Sequence, residues 1–226
     1  MRGQRWLVVA LLVAALATSS LVDRVYLAAR RAVSPLANSG TQVVLTADYY
    51  GLANGAQWYY RAHLLFDGQQ EDVVASVFVS EALGAGQASH ERTYYLNWRV
   101  NGQDVGTDTL RLTDDEIHAR LDASAGPVWV PLLQGPVEPG EVWTWQEDGQ
   151  SLQGRVLREE ALTVLAGQFT TTVVEHIQTD AAGSQHTSTR WLTPGVGIVR
   201  FVRPYARNQQ LGQLVGELSQ VRYTRG

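Results

Sequence analysis

Five histidines are the residues of this chain best suited to hold a metal: His63, His90, His118, His176 and His186. No two of them stand at the helical i, i+4 spacing or the short-loop spacing of a zinc site. Glu175-His176 and His90-Glu91 are adjacent on extended segments, so the members of each pair point to opposite faces. Asp114-Asp115-Glu116 could supply part of an oxygen cage, but no D-x-D-x-D loop accompanies it. The expectation is no metal and no cofactor.

Acid–base and nucleophilic chemistry find no clearer signature. Carboxylates on distant strands could cleave a glycoside, yet 22 acidic residues single out no pair. Asp67-Gly68 and Asp148-Gly149 lack the D-T-G or D-S-G form of aspartic peptidases and read as hairpin turns. Gly84-Ala85-Gly86-Gln87 stands between strands with no helix after it, so a phosphate cradle is missing. Ser184 is not in a nucleophile elbow, and Ser76, Ser80, Ser188 and Ser219 fall in ordinary strand positions. Glu175 shares a face with Phe169, Val173 and Ile177, where a carboxylate needs a partner. Arg190, on the neighbouring predicted strand, is the expected one. No catalytic residue is assigned. A hydrolase whose ligands or carboxylates converge only in three dimensions is the enzymatic alternative.

The aromatic rings are the remaining candidates. Trp58, Tyr60, Tyr94, Trp98, Trp143, Trp145 and Trp191 are many large side chains for one domain. They fill a core, or they line an apolar cleft inside a curved sheet. In the second case the ligand is a lipid or another hydrophobic small molecule. An envelope protein is the other partner class.

These residues must be positioned by strands. Gly55-Ala56-Gln57-Trp58-Tyr59-Tyr60 and Gly140-Glu141-Val142-Trp143-Thr144-Trp145 repeat one pattern, a turn glycine followed by two aromatics on one strand face. The repeat predicts two similar halves sharing a core, with Trp58 and Trp143 in equivalent inward positions. Trp58, Tyr60, Ala62 and Leu64 alternate with Tyr59, Arg61 and His63, and Tyr94, Leu96, Trp98 and Val100 alternate with Tyr95, Asn97 and Arg99. Asn101-Gly102 is a strong hairpin signal. Thr113-Asp-Asp-Glu116 fits a helix capping box, but the alternation of Ile117, Ala119 and Leu121 favours a turn and then a strand. Roughly ten strands with short turns predict an all-β, antiparallel curved sheet or partly open barrel.

The N-terminus reads differently. Arg2 and Arg5 precede an unbroken apolar run, Trp6 to Ala17, and Ala15-Leu16-Ala17 fits a cleavage site. Residues 1–20 are therefore a signal peptide or a retained N-terminal anchor, 21–41 a stalk or linker, and 42–226 a single β-domain. The layout predicts a protein secreted or held at the outer face of the cytoplasmic membrane, touching the membrane only through this segment. The chain has no cysteine, which removes disulfides, thiol catalysis and a lipid anchor on cysteine. Its net charge is −4 with both signs interspersed, so no nucleic-acid surface is expected.

Three segments resemble a known pattern. Val156-Leu-Arg-Glu-Glu-Ala-Leu-Thr163-Val164-Leu165-Ala166-Gly167-Gln168-Phe169 is similar to the "E-x-V-T-V-P-A-G-x-F" strand–turn–strand of exported bacterial β-proteins. Arg190-Trp191-Leu192-Thr193-Pro194-Gly195-Val196-Gly197-Ile198-Val199 resembles their "W-Y-A-P-G-V-G-L-V" segment, and Tyr49-Tyr50-Gly51-Leu52 to Tyr60 their opening "Y-F-P-L-x-x-G-x-x-W-x-Y". These proteins are described as hypothetical lipoproteins or TapB-like proteins of unknown function. The resemblance spans about residues 47–220 and departs at Gly51 and Leu165, where proline is frequent. It implies export and a curved sheet or partly open barrel like lipoprotein-carrier folds, and no activity. The expected function is that of an exported, non-enzymatic binding or envelope domain. The alternative is a carrier of a hydrophobic ligand.

Overall fold

In a computed structural model of the chain, the described residues are 46–82, 91–113, 115–123, 126–208 and 210–223. The expected signal or anchor, the stalk, the Gly84 loop, His90 and Asp114 lie outside them.

The described residues form twelve strands in one antiparallel sheet. The first six are β1 (Gln57–Phe66), β2 (Gln69–Glu81), β3 (Arg92–Val100), β4 (Gln103–Leu112), β5 (Glu116–Ala123) and β6 (Gly126–Gln134). The second six are β7 (Val142–Glu147), β8 (Gln150–Val164), β9 (Gly167–Thr179), β10 (Gln185–Thr193), β11 (Gly197–Arg207) and β12 (Gln210–Arg222). The spatial order is β6-β5-β4-β3-β2-β1-β12-β11-β10-β9-β8-β7. Each half is thus a six-stranded meander, and the halves join through a β1–β12 ladder running from Gln57↔Arg222 to Leu65↔Gln213.

Opposite that ladder, the edge strands β6 and β7 lie side by side without pairing. Side chains close the seam instead. The Trp143 indole on β7 donates to the Pro131 carbonyl on β6 at 3.0 Å, and His176 on β9 bonds the Leu132 carbonyl at 2.6 Å. Edge carbonyls that no strand satisfies are thereby paired, as buried backbone groups must be. The sheet is a nearly closed barrel.

Local sequence explains the elements. In β3 the inner residues Tyr94, Leu96, Trp98 and Val100 are buried, and Tyr95 and Arg99 between them are exposed. Three tight turns, Asp67-Gly68, Asn101-Gly102 and Asp148-Gly149, place both residues at positive φ, the geometry that matches strand twist in a two-residue hairpin. In the core, Tyr60 stacks on Trp98 at 6.3 Å, and Phe201 meets both edge-on at 5.0 and 5.1 Å. Phe201 lies over Gly216, where any Cβ would collide with its ring.

Where roughly ten strands were expected the sheet has twelve, and β6, which contains Val130-Pro131-Leu132-Leu133, is one that the alternation did not predict. An edge strand tolerates the proline. Tyr49-Tyr50 belongs to a 3-10 turn, Thr46–Tyr50, packed against β5, β10 and β11. Gly51 follows it at φ +52°, against the Val196 backbone, where a side chain has no room. At Thr113 the expected turn is present: Glu116 N donates to Thr113 Oγ1 at 3.1 Å, and β5 begins there.

Candidate functional site

The barrel interior is not uniformly apolar. β9 and β10 send a polar set inward at alternate positions: His176 and Gln178 from β9, and His186, Ser188 and Arg190 from β10. With Asp108 of β4 and Arg203 of β11 they line a cavity of about 200 Å³. Leu96, Leu110, Leu132, Leu152 and Ile198 supply its apolar wall. The 3-10 turn adds Tyr50, whose side chain is 1% exposed.

Two networks fix the polar side. In the first, Asp108 Oδ2 accepts from the Trp98 indole at 2.8 Å and from Arg203 at 3.1 Å. The Arg203 guanidinium also lies 4.8 Å from the Trp98 ring centre. Its charge is therefore met by a carboxylate and an aromatic face.

The second network centres on His176. The Leu132 carbonyl can only accept, so the geometry assigns the ring proton to Nε2. Nδ1 then carries a lone pair, to which Arg190 donates at 2.9 Å. Burial pushes the His176 pKa down to about 3; the Arg190 charge pushes the same way, and the Leu132 hydrogen bond opposes them. His176 is a neutral acceptor that holds Arg190. Arg190 also reaches Ser188 Oγ at 3.4 Å, and among the described residues no carboxylate pairs with it.

Between these networks stands Tyr50. Its hydroxyl is buried without a hydrogen-bond partner among the described residues. Burial raises its pKa, the Arg190 and Arg203 charges lower it, and Asp108 raises it, with the net shift upward. The side chain stays a neutral phenol with a proton to donate. Arg190 and Arg203 line the cavity with the single carboxylate of Asp108, while Arg120, also in its wall, is exposed and ion-paired with Asp122. A chain with net charge −4 thus holds a locally cationic interior.

None of the seven aromatics is in the cavity wall. Trp58, Tyr60, Tyr94 and Trp98 are buried in the core, and so is Trp143. Three touch wall residues. Trp98 holds Asp108, Tyr60 donates to the Ile198 carbonyl at 3.0 Å, and Trp143 meets His176 edge-on at 5.9 Å. Trp145 is half-buried on β7. Trp191 is paired with Arg200 across the β10–β11 ladder, outside the core cluster, and its indole bonds Glu160. The structure does not bring Trp191 to the others.

One sequence expectation is corrected here. Glu175 pairs with Arg155 of β8 at 2.6 Å, not with Arg190. Residue 175 faces away from the interior, whereas 190 is in register with Val174 and turns inward to His176. The missed signal was a polar alternation at 176, 178, 186, 188 and 190. Among the described residues, no three His, Asp or Glu side chains converge on a point that could hold a metal.

No protein-family model matches the chain, and no curated protein matches it. Two solved structures are similar to it. One is a protein of Parabacteroides distasonis provisionally described as a lipoprotein, 14% identical, with a TM-score of 0.50 over 80% of this chain and 100% of that one. The other, from Bacteroides fragilis, is provisionally described as an exported protein with a YmcC-like fold, at 14% identity and a TM-score of 0.48 over the same shares. The all-β, nearly closed sheet is the architecture that the resemblance to exported bacterial β-proteins implied.

Proposed function

We propose that this chain is an exported, non-enzymatic β-barrel domain that binds a small ligand inside the barrel. The observation that carries the reading is the cavity of about 200 Å³, apolar on one side and cationic on the other, with the unpartnered Tyr50 hydroxyl in its wall. A solid core has no use for an arginine without a carboxylate or for an orphaned phenol. Export is supported by the basic and apolar N-terminal layout. The fold shared with a protein provisionally described as a lipoprotein accords with it.

Native mass spectrometry of the purified protein tests ligand binding. A reproducible adduct that leaves on denaturation supports the reading. Screens against esters, glycosides and peptides should return no turnover. Turnover abolished by substituting Asp108 or His176 would replace the reading with a hydrolase. N-terminal sequencing and cell fractionation test export, and full-length chain recovered from soluble cytoplasm would refute it.

A carrier of a longer lipid is the second reading. Tyr60, Trp98 and Trp143 each touch a residue of the cavity wall, so a longer chain would displace this aromatic layer. Lipid in organic extracts of the purified protein would favour it.

A further inference from the structure

We propose that the cavity is selective for a small organic carboxylate, its head group taken by Arg190 and Tyr50 and its apolar body by Leu132, Leu152 and Ile198. This rests on the reading that the barrel binds a ligand internally.

The charge of the ligand follows from what the wall leaves uncompensated. Arg203 is matched by Asp108. Arg190 is not matched by a carboxylate among the described residues, where its partners are the neutral His176 ring and the Ser188 hydroxyl. Its remaining N–H groups are donors in a fixed planar fork, suited to the two oxygens of a carboxylate. Tyr50 adds a neutral O–H donor, buried and unpartnered. One guanidinium and one phenol therefore complement one negative charge. A phosphoryl dianion would bring a second charge that Arg203, already paired, does not meet. A cation would face Arg190, whose charge no carboxylate offsets among the described residues, while Asp108 is already taken by Arg203.

The size follows from the volume. A cavity of roughly 150 Å³ admits a benzene-sized molecule. This one, at about 200 Å³, has room for a carboxylate with a short alkyl or aryl body. Leu132, Leu152 and Ile198 provide the apolar contact, so both ends of an amphipathic monoanion find complementary surface.

His176 is a positioning residue in this arrangement. It accepts from Arg190 at 2.9 Å while donating to β6 at 2.6 Å, so the guanidinium is oriented without being neutralised. A carboxylate in its place would cancel the charge that the ligand is proposed to meet.

Isothermal titration of the purified full chain with hexanoate, hexan-1-ol and hexylammonium tests the inference. Hexanoate should bind saturably and at least tenfold more tightly than hexan-1-ol, with no binding of hexylammonium. Arg190→Gln should lower hexanoate affinity at least tenfold and hexan-1-ol affinity much less, so that the preference for hexanoate collapses. Tyr50→Phe should lower hexanoate affinity severalfold. If Arg190→Gln does not fold, the comparison of the three probes on the parent protein still decides. Equal affinity for hexanoate and hexan-1-ol would overturn the carboxylate inference and leave internal binding standing. Failure of all three probes to bind would overturn both.

Discussion

Trp58 and Trp143 occupy the same place in the two halves of the barrel. Each is the second residue of its half's first strand, each is buried in the common core, and each donates its indole N–H to a backbone carbonyl at 3.0 Å. The acceptors differ in consequence. Trp58 bonds Val196 in the β10–β11 turn and fastens a loop. Trp143 bonds Pro131 across the unpaired seam and fastens an edge.

Emptying either site should therefore be costly. Trp58→Ala and Trp143→Ala should each lose about 3–5 kcal/mol, the range for deleting a large buried aromatic. Urea unfolding midpoints measure the loss. Trp143→Phe keeps an aromatic ring in the core but leaves the Pro131 carbonyl without its donor, and should lose about 1–3 kcal/mol. If the alanine variants unfold at the parent midpoint, the rings do not support the core.

Gly154 is the counterpart of Trp143 on β8. A methyl group there would overlap the indole ring. Gly154→Ala should cost about 1–3 kcal/mol by overpacking. Adding Trp143→Leu should relieve the clash, so the double variant should be less destabilised than the sum of the singles. Strict additivity would mean that the two sites do not touch.

The buried His176 makes stability depend on pH. Its folded pKa is near 3, below the ordinary histidine value of about 6.5, so between these limits the unfolded chain binds the extra proton. Stability must then rise with pH across this window and fall as the solution is acidified. The slope should reach about 1.4 kcal/mol per pH unit from this group alone. His176→Gln can still donate to Leu132 but does not titrate. Unfolding curves from pH 4 to 7 should show a shallower slope for that variant, and equal slopes would remove His176 as the source.

The two interior and exterior carboxylates should differ in weight. Asp108→Ala leaves the Trp98 N–H and Arg203 without their acceptor and should cost about 1–3 kcal/mol. Glu175→Ala breaks a partly exposed surface pair with Arg155 and should cost less than about 1 kcal/mol. Thermal unfolding of both variants checks the order.

Period-two alternation made most of the sheet legible. Trp58, Tyr60, Tyr94 and Trp98 face inward as the pattern requires, and the repeated glycine–tryptophan motif opens two six-stranded halves. β6 escaped because Pro127 and Pro131 argue against a strand, and only an edge position makes them acceptable. The site was hidden for a different reason. Alternation says which residues share a face, not which face is the interior. At β9 and β10 both faces carry polar residues, and Glu175 seemed the odd group when His176 was the buried one. Assembly also brings Asp108, Arg190 and Tyr50 around one cavity from β4, β10 and a turn, and no local spacing encodes that.

The β1–β12 ladder dictates an order of events as the chain emerges. Its contacts span most of the sequence, since Gln57 pairs with Arg222. Until the last strand is available, β1 and β11 are both bare edges, and Phe201 lacks the Gly216 backbone it lies on. Neither meander can complete the barrel alone, so folding waits on its final residues and carries the slow rate of long-range pairing. For a chain threaded through a membrane N-terminus first, the greasy interior stays open for the whole passage.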